Sequence, residues 1–400
     1  MKKPELLAPA GDFPSLISAI NSGADSVYFG IKELNLRANA KNFELKEIKK
    51  ITSYCHKNKV KSYLALNSIV FENEIKTIKK IILTAKKAKI DAIICWDLSV
   101  LNEAKKAKIP VHLSTQASAS NSESINLYKK LGVKRFILAR ECTLKQIAEI
   151  KKRTKTEIEI FVHGAMCMSV SGRCFISSHL FGKSANRGEC LQPCRREYHA
   201  FDEEGNVLKI GNNYIMSPKD LCTLNFIDKI MKTKVDAVKI EGRNRSPEYV
   251  STAVSCYRKA IDAVAAGKFN KKIAQELTAE LNSVYNRGFS SGFYLNSPTY
   301  KEFTDEYGSK ANAVKEYLGY VKNFYKKSSA AEIFIERGSI KKGDVILVIG
   351  NKTGTLKQKI DSMQKNSKEC EHASKGQSVG IKMNSQIREN DKVYLLKKKR

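Results

Sequence analysis

The chain has 400 residues, of which 42% are hydrophobic, and it carries a formal net charge of +30. This length and hydrophobic content exclude global disorder and predict two or three domains with a substantial core. No apolar run approaches the roughly 18 residues that a membrane span needs, and no charged-then-apolar leader opens the chain, so we expect a cytoplasmic protein without a membrane segment.

Short β-rich runs and amphipathic helical patterns alternate along the first 240 residues. The predicted strands cover Glu5–Ala8, Ser26–Gly30, Lys61–Leu66, Ala92–Trp96, Val111–Leu113, Arg135–Leu138, Glu157–Val162 and Ala237–Ile240. The predicted helices between them cover Glu44–Asn58, Glu74–Ala88, Leu98–Lys108, Ser122–Leu131 and Thr143–Arg153. Repeated βα units of this number and length indicate the α/β class and a (β/α)8, TIM-like barrel. A doubly wound sheet would need a Gly-rich phosphate loop after the first strand, and the sequence has none.

The interval between predicted strands seven and eight is far longer than the others, so it predicts an insertion after strand seven. Two more helices are predicted beyond the eighth strand, at Pro247–Ala266 and Lys271–Tyr285. From Glu316 onward the pattern changes to short strands broken by glycines, for example Glu332–Glu336 and Asp344–Ile349, which indicates a small antiparallel β-barrel.

These patterns divide the chain into three predicted parts. Residues 1–266 form the catalytic barrel, with a cysteine-rich insertion at 163–222. Residues 267–315 form a helical and linker segment, and residues 316–400 form the small β-barrel. Lys and Arg outnumber Asp and Glu in this last part, which is typical of an RNA-binding domain. A general lysine bias in the composition is the alternative explanation of the charge.

Four cysteines lie close together inside the predicted insertion. Cys167, Cys174, Cys190 and Cys194 have the spacing C-x6-C-x15-C-x3-C. Such thiolate sets bind an iron–sulfur cluster or a structural zinc ion. Only the last two cysteines form the short pair that is usual in zinc sites, so the spacing favours a cluster and leaves zinc or unligated thiols as the alternatives. Cys222 is near enough in sequence to replace one of the four.

Several motifs resemble those of the collagenase-like peptidases of unassigned mechanism, peptidase family U32. They are ELLAPAGD (5–12), LSTQAS (113–118), EIFVHGAMC (159–167), GRCFIS (172–177) and KIEGRNRSPEYV (239–250). Besides its peptidase label, this family has branches that hydroxylate transfer RNA, ribosomal RNA or quinone precursors without molecular oxygen. A barrel followed by a small β domain is similar to the transfer RNA branch.

The resemblance implies a specific reaction and its helpers. The transfer RNA branch makes 5-hydroxyuridine at the wobble position, with prephenate as the implied co-substrate. The cofactor would be the iron–sulfur cluster that the cysteine spacing favours, which we expect to be [4Fe–4S]. The partner would be tRNA, and an oligomer of this chain with itself or with a related family member stays open. The alternatives are a peptidase, an RNA-binding module with a structural cluster, and a ribosomal RNA hydroxylase. The peptidase alternative lacks an identifiable nucleophile beside a base.

Barrel enzymes place their chemistry at the carboxyl ends of the strands. We expect His163, Glu241 and Gln116 to be catalytic, with His163 acting as acid or base next to the cluster. Arg140 and Arg243 suit a dicarboxylate such as prephenate, because guanidinium groups bind carboxylates in a bidentate way. The predicted substrate-binding set is completed by Arg37, Asn67 and Asp97.

Overall fold

The structure is a computed structural model that describes residues 1–208 and 214–399. Residues 209–213 of the predicted insertion and Arg400 of the predicted β domain lie outside the described residues. The first seven strands are β1 (Glu5–Ala10), β2 (Ser26–Phe29), β3 (Lys61–Ala65), β4 (Ala92–Cys95), β5 (Val111–Leu113), β6 (Val133–Ile137) and β7 (Glu157–Gly164). The helices between them are α1 (Phe13–Asn21), α2 (Ile48–Lys57), α3 (Ile75–Lys87), α4 (Leu98–Lys106), α5 (Ser122–Lys130) and α6 (Leu144–Thr154).

Helix α1 is absent from the predicted set, although its start carries two recognisable features. The Asp12 carboxylate accepts a hydrogen bond from the Ser15 amide at 2.9 Å, and Pro14 lies in the first turn. The other helices bury one apolar face, as their patterns predict. In α3, for example, Ile78, Ile81, Ile82 and Ala85 are buried at helical spacing against the barrel.

The segment between β7 and the eighth barrel strand contains α7 (Ile176–Phe181), β8 (Ala200–Phe201), β9 (Val207–Leu208), β10 (Asp220–Cys222) and α8 (Ile227–Lys232). β8 and β9 form a two-stranded ribbon, and β10 runs antiparallel to the end of β7, with Cys222 opposite His163. The cysteine-rich segment is therefore attached directly to the carboxyl end of a barrel strand.

The eighth strand, β11 (Ala237–Ile240), pairs in parallel with both β7 and β1. This pairing closes the described strands into the predicted eight-stranded parallel barrel. It is followed by α9 (Pro247–Ala265), α10 (Lys271–Leu281) and β12 (Phe289–Ser290). Helix α10 ends before the predicted Tyr285, because the Glu280 carbonyl accepts a bond from the Ser283 hydroxyl at 2.7 Å and the Asn282 carbonyl accepts the Asn312 amide at 2.8 Å.

The C-terminal part is antiparallel, as predicted. Its strands are β13 (Ala313–Tyr325), β14 (Ala330–Ile335), β15 (Ser339–Lys341), β16 (Val345–Gly350), β17 (Gly354–Lys359), β18 (Met363–Lys365), β19 (Lys368–Glu369), β20 (His372–Ser374), β21 (Ser378–Lys382) and β22 (Lys392–Lys398). The sheet order among the described strands is β17-β16-β22-β13-β14-β21-β18-β19, and β15 pairs with β20. The sheet has its own apolar core, separate from that of the barrel. The domain boundaries stay predictions.

A group of charged side chains, largely buried except for Glu157, links the barrel strands toward their amino ends. Arg135 donates to Glu5 at 2.8 Å, to Glu157 at 2.7 Å and to Glu159 at 3.4 Å, and Lys239 lies 3.1 Å from Glu159. Burial raises the pKa of Glu5, but the hydrogen bonds and charge of Arg135 outweigh it and hold that pKa well below its usual range. We call these five residues the interior charge cluster. Within the described ranges, no helix is long and apolar enough to cross a bilayer.

Candidate active site at the barrel mouth

A cavity of about 170 Å³ opens at the carboxyl ends of the barrel strands. Its wall is built from strand ends, from the loop after β2 and from the cysteine-rich segment. It brings together most of the predicted polar site residues, namely Arg37, Asn67, Gln116, Arg140, Glu241 and Arg243. The roles of these residues stay predictions, but their placement in one cavity is what a shared site requires.

Glu241 stands at the centre of this wall and is held by two neighbours. Its carboxylate accepts from the Arg37 Nε at 3.2 Å and from the Tyr28 hydroxyl at 3.3 Å. Burial raises the pKa of Glu241, but the charges of Arg37, Arg243, Arg140 and Lys239 lower it to about 2. Glu241 is therefore an anion at neutral pH, which makes it an acceptor and not a proton donor.

Arg140 and Arg243 each keep a buried Nε–H without a hydrogen-bond partner among the described residues. Arg140 donates through Nη1 to the Ala165 carbonyl at 2.7 Å, and its guanidinium lies 4.2 Å from the Phe161 ring. Arg243 donates through Nη1 to Asn35 at 3.2 Å, and burial lowers its pKa to about 10. Buried donors without partners are costly, so these two arginines are suited to an incoming acceptor such as a carboxylate.

The charge of the wall is strongly one-sided. Glu241 is the single carboxylate among the described lining residues, whereas the cations are Arg37, Arg140, Arg195, Lys239, Arg243 and Arg245. Arg195 is fixed by its donation to the Pro218 carbonyl at 2.6 Å. Burial lowers the pKa of Lys239, while the charge of Glu159 opposes that shift. An excess of buried positive charge favours binding of an anion.

Two amides in the wall are already oriented by the protein. The Gln116 side chain donates to the Ser171 carbonyl at 2.9 Å, which joins a barrel loop to the cysteine-rich segment. The Asn67 Oδ1 accepts from the Leu36 amide at 3.2 Å. Their remaining donor and acceptor positions have defined directions, which is the preorganisation that a binding site needs.

Three of the four predicted cluster cysteines, Cys167, Cys190 and Cys194, line the same cavity. Cys174 lines an adjacent surface pocket. Burial raises the pKa of the Cys194 thiol, the charge of Arg195 opposes this shift, and the nearby Cys167, Cys190 and Cys174 add to it. In the part of the chain that the structure describes, no three His, Cys, Asp or Glu side chains are gathered around a single ion position.

The cysteine-rich segment is pressed against the loop after β2. Gly188 has a φ of 88°, and a Cβ at this position would lie 2.3 Å from the Asn35 carbonyl oxygen, so only glycine fits. Next to it, Arg187 binds both Glu74 and the Ile69 carbonyl. These contacts fix the cysteines over the barrel mouth.

His163 and Asp97 do not lie in the cavity wall. His163 packs against Tyr249, Tyr257 and Phe289, with ring centroids 5.4 to 5.8 Å away, and burial lowers its pKa to about 4. The His163 side chain therefore points away from the barrel interior, toward α9. This direction results from a register shift in the β7–β11 pairing, where Lys239 is opposite Phe161 but Ile240 is opposite His163. The extra residue reverses the in–out alternation of β7.

Asp97 is placed as a helix cap. Its carboxylate accepts from the Ser99 amide at 2.9 Å at the start of α4. Cys222, the predicted substitute ligand, is buried and lies 3.8 Å from the Tyr257 hydroxyl, outside the cavity wall. The structure thus separates these residues from the group at the mouth.

Tyr28 and Lys239 also belong to the wall, although they are absent from the predicted site residues. Both are polar residues inside barrel strands, two positions from another inward-facing residue, so strict period-two alternation would have found them. As a whole, the wall offers cations, oriented amides and thiols, with no histidine among its described residues. Such a site can bind and orient an anionic small molecule.

The chain is similar to known proteins over most of its length. The sequence profile of peptidase family U32 matches residues 11–304. An uncharacterized protease of Methanocaldococcus jannaschii is 44% identical, covering 98% of both chains. A protein of Porphyromonas gingivalis named collagenase is 40% identical, covering 99% of this chain and 98% of its own length. The tRNA hydroxylation protein P1 of Bacillus subtilis is 36% identical, covering 87% of this chain and 84% of its own length.

Proposed function

The chain belongs to peptidase family U32, and on that premise we propose that it is an enzyme that hydroxylates a tRNA uridine. The product would be 5-hydroxyuridine at the wobble position, formed without molecular oxygen and with prephenate as co-substrate. The name of the Bacillus subtilis relative, tRNA hydroxylation protein P1, supports the RNA substrate. The observation that carries the proposal is the cationic cavity with thiols in its wall.

Prephenate is a dicarboxylate, and its charge matches the excess of cations at the mouth. We assign its carboxylates to Arg140 and Arg243, whose Nε–H groups are buried without partners among the described atoms. Arg37 is held by Glu241 at 3.1 Å and keeps its position through this ion pair. Glu241 therefore orients a cation and limits the total positive charge, while Gln116 lines the cavity with its amide held by the Ser171 carbonyl.

The four cysteines fit an iron–sulfur cluster better than a zinc ion. Zinc sites usually have two short C-x2-4-C pairs, whereas here only Cys190 and Cys194 form one. Three of the four cysteines line the cavity and the fourth lines the adjacent pocket. We assign a [4Fe–4S] cluster to Cys167, Cys174, Cys190 and Cys194. When bound, it would supply electron transfer or a Lewis-acidic iron at the edge of the cavity.

A peptidase is the second candidate, because the Porphyromonas gingivalis relative is named collagenase. Peptide hydrolysis needs an activated nucleophile with a base, or an activated water. The described wall contains no histidine, and Glu241, with its pKa near 2, is a weak base. The geometry at the mouth therefore supports the hydroxylase better.

The proposal can be tested in a strain from which the gene has been deleted. Mass spectrometry of tRNA nucleosides should show loss of 5-hydroxyuridine and its derivatives, and restoration by the wild-type gene. Unchanged nucleosides would refute the hydroxylase. Hydrolysis of gelatin by the purified protein, with loss of activity in the Glu241→Gln variant, would instead support the peptidase.

A further inference from the structure

A second and much larger cleft, of about 1,320 Å³, lies between the barrel mouth and the C-terminal sheet. One wall comes from barrel loops and includes Lys41 and Arg245. The other wall comes from turns and an edge of the C-terminal sheet and includes Lys326, Lys352 and Lys392. The volume exceeds what a small metabolite fills, and the shape suits an extended ligand.

The two walls are held in place by direct contacts between the barrel and the sheet. The Ser18 hydroxyl of α1 lies 3.1 Å from the Thr355 hydroxyl of β17. Gly354, at the start of β17, packs so closely on α1 that a Cβ there would lie 2.9 Å from Ile17. Lys315 of β13 also pairs with Glu248 of α9 at 2.5 Å. The cleft is therefore a built feature of the fold.

Positive charge dominates this cleft. Its described lining contains eight Lys or Arg residues and three Asp or Glu residues. Two of the three acids are already engaged, because Asp12 pairs with Lys41 at 2.9 Å and Asp391 accepts from the Arg388 amide at 2.8 Å. By contrast, Lys326, Lys352 and Lys392 form no ion pair with any described residue. Like charges facing one another without counterions attract a polyanion.

The cleft continues into the active-site cavity. Asn39, Arg243, Asn244 and Arg245 line both spaces. Tyr394 and Phe324 also line the cleft, and aromatic residues in a cationic groove can stack unpaired bases. The Tyr394 ring is already close to a cation, because the Lys315 Nζ lies 5.1 Å from its centroid. A chain of phosphates in the cleft would thus lead directly to the barrel mouth.

We propose that this cleft holds a single-stranded segment of the RNA substrate, with its phosphates on the lysines of the sheet wall and the target base directed past Arg245 into the cavity. The inference rests on the proposed function and extends it by assigning the path of the strand. An acidic protein is the competing class of ligand, but the aromatic rings and the continuity with the cavity favour RNA.

The test compares two triple variants with the same loss of charge. The cleft variant loses three positive charges from the sheet wall, by Lys326→Gln/Lys352→Gln/Lys392→Gln. The α3 variant loses three exposed positive charges outside the cleft lining, by Lys79→Gln/Lys80→Gln/Lys87→Gln. Binding of a fluorescent anticodon stem-loop to the full-length protein is measured between 50 and 200 mM salt, about the range over which phosphate contacts are screened. Thermal unfolding checks that both variants are folded.

We expect the cleft variant to bind at least about tenfold more weakly and to reduce the slope of log affinity against log salt by roughly 2, since each lost phosphate contact contributes about 0.7 for single strands. The α3 variant should stay within about twofold of the wild type. Equal losses in the two variants, or no loss in the cleft variant, would overturn the proposal. Competition by polyglutamate as effective as that by polyuridine would overturn the assignment to RNA.

The cleft assignment and the proposed reaction can be refuted independently of each other. If deletion leaves 5-hydroxyuridine unchanged but the cleft variant loses RNA affinity, the reaction is wrong and the cleft assignment is supported. If deletion removes 5-hydroxyuridine but the cleft variant binds RNA normally, the reaction is supported and the cleft assignment is overturned.

Discussion

The barrel contains two groups of buried charges, and they differ in how they are balanced. At the amino ends of the strands, the interior charge cluster surrounds Arg135 with three carboxylates, at 2.7 to 3.4 Å. At the mouth, one described carboxylate, Glu241, faces several cations, and Arg140 and Arg243 keep unpaired Nε–H groups. In the first arrangement each carboxylate has a cation beside it, either Arg135 or Lys239, and these pairs link strands of the barrel. The second is complete only with an anion bound.

At the mouth, the largest expected effect is the loss of bound iron when a cluster cysteine is replaced. Cys167→Ala should abolish iron binding and visible absorption of anaerobically purified protein, because it removes a proposed cluster ligand next to the cavity. The matched control is Cys222→Ala, a buried cysteine outside the cavity wall, which should keep its iron. Iron retained in the first variant, or zinc in place of iron in the wild type, would contradict the cluster.

On the interior side, Arg135→Met should lower the free energy of unfolding by about 3–5 kcal/mol, because it removes the buried guanidinium that Glu5 and Glu159 share and leaves Glu159 with Lys239 alone. Urea unfolding measures the change. Arg153→Met is the control, since its ion pair with Glu149 is largely exposed and should be worth less than about 1 kcal/mol. A change in Arg135→Met as small as in the control would show that the interior charge cluster does not hold the barrel.

His163 belongs to neither charge group, but its burial makes stability depend on pH. Its folded pKa of about 4 lies below the ordinary value of 6.5, so the unfolded chain binds the proton more tightly between these two values. Stability from this group is complete above pH 6.5 and falls by about 3 kcal/mol as the pH drops to 4. Replacing it by His163→Phe should remove this part of the pH dependence in urea unfolding.

The control for this measurement is His179→Phe, which changes an exposed histidine and should leave the pH dependence as in the wild type. An unchanged pH dependence in His163→Phe would contradict the buried, neutral state of His163. If His163→Phe kept its stability but lost hydroxylation with a shifted pH–rate profile, the predicted acid–base role would be supported.

The sequence predicts the strands and most helices well, because each βα unit repeats the same alternation of buried runs and amphipathic patterns. It predicts the mouth less completely. The strand ends identify Gln116, Arg140 and Glu241 as residues of the mouth. The direction of the His163 side chain depends on a register shift between β7 and β11, which arises from strand pairing and cannot be predicted from the local sequence pattern. An aspartate between a strand and a helix, such as Asp97, can serve either as a site residue or as a helix cap. Only the hydrogen bond from the Ser99 amide shows that Asp97 is a cap.

The most direct test of the difference between the two charge groups is the 5-hydroxyuridine content of tRNA in the deletion strain carrying Arg140→Gln. The variant should accumulate as a folded protein yet restore at least about tenfold less 5-hydroxyuridine than the wild type, because it removes a cation that the proposed carboxylate needs. Arg140→Lys should be intermediate, because it keeps the charge but loses the fork of donors. Full restoration by Arg140→Gln at wild-type protein levels would contradict an anion site at the barrel mouth.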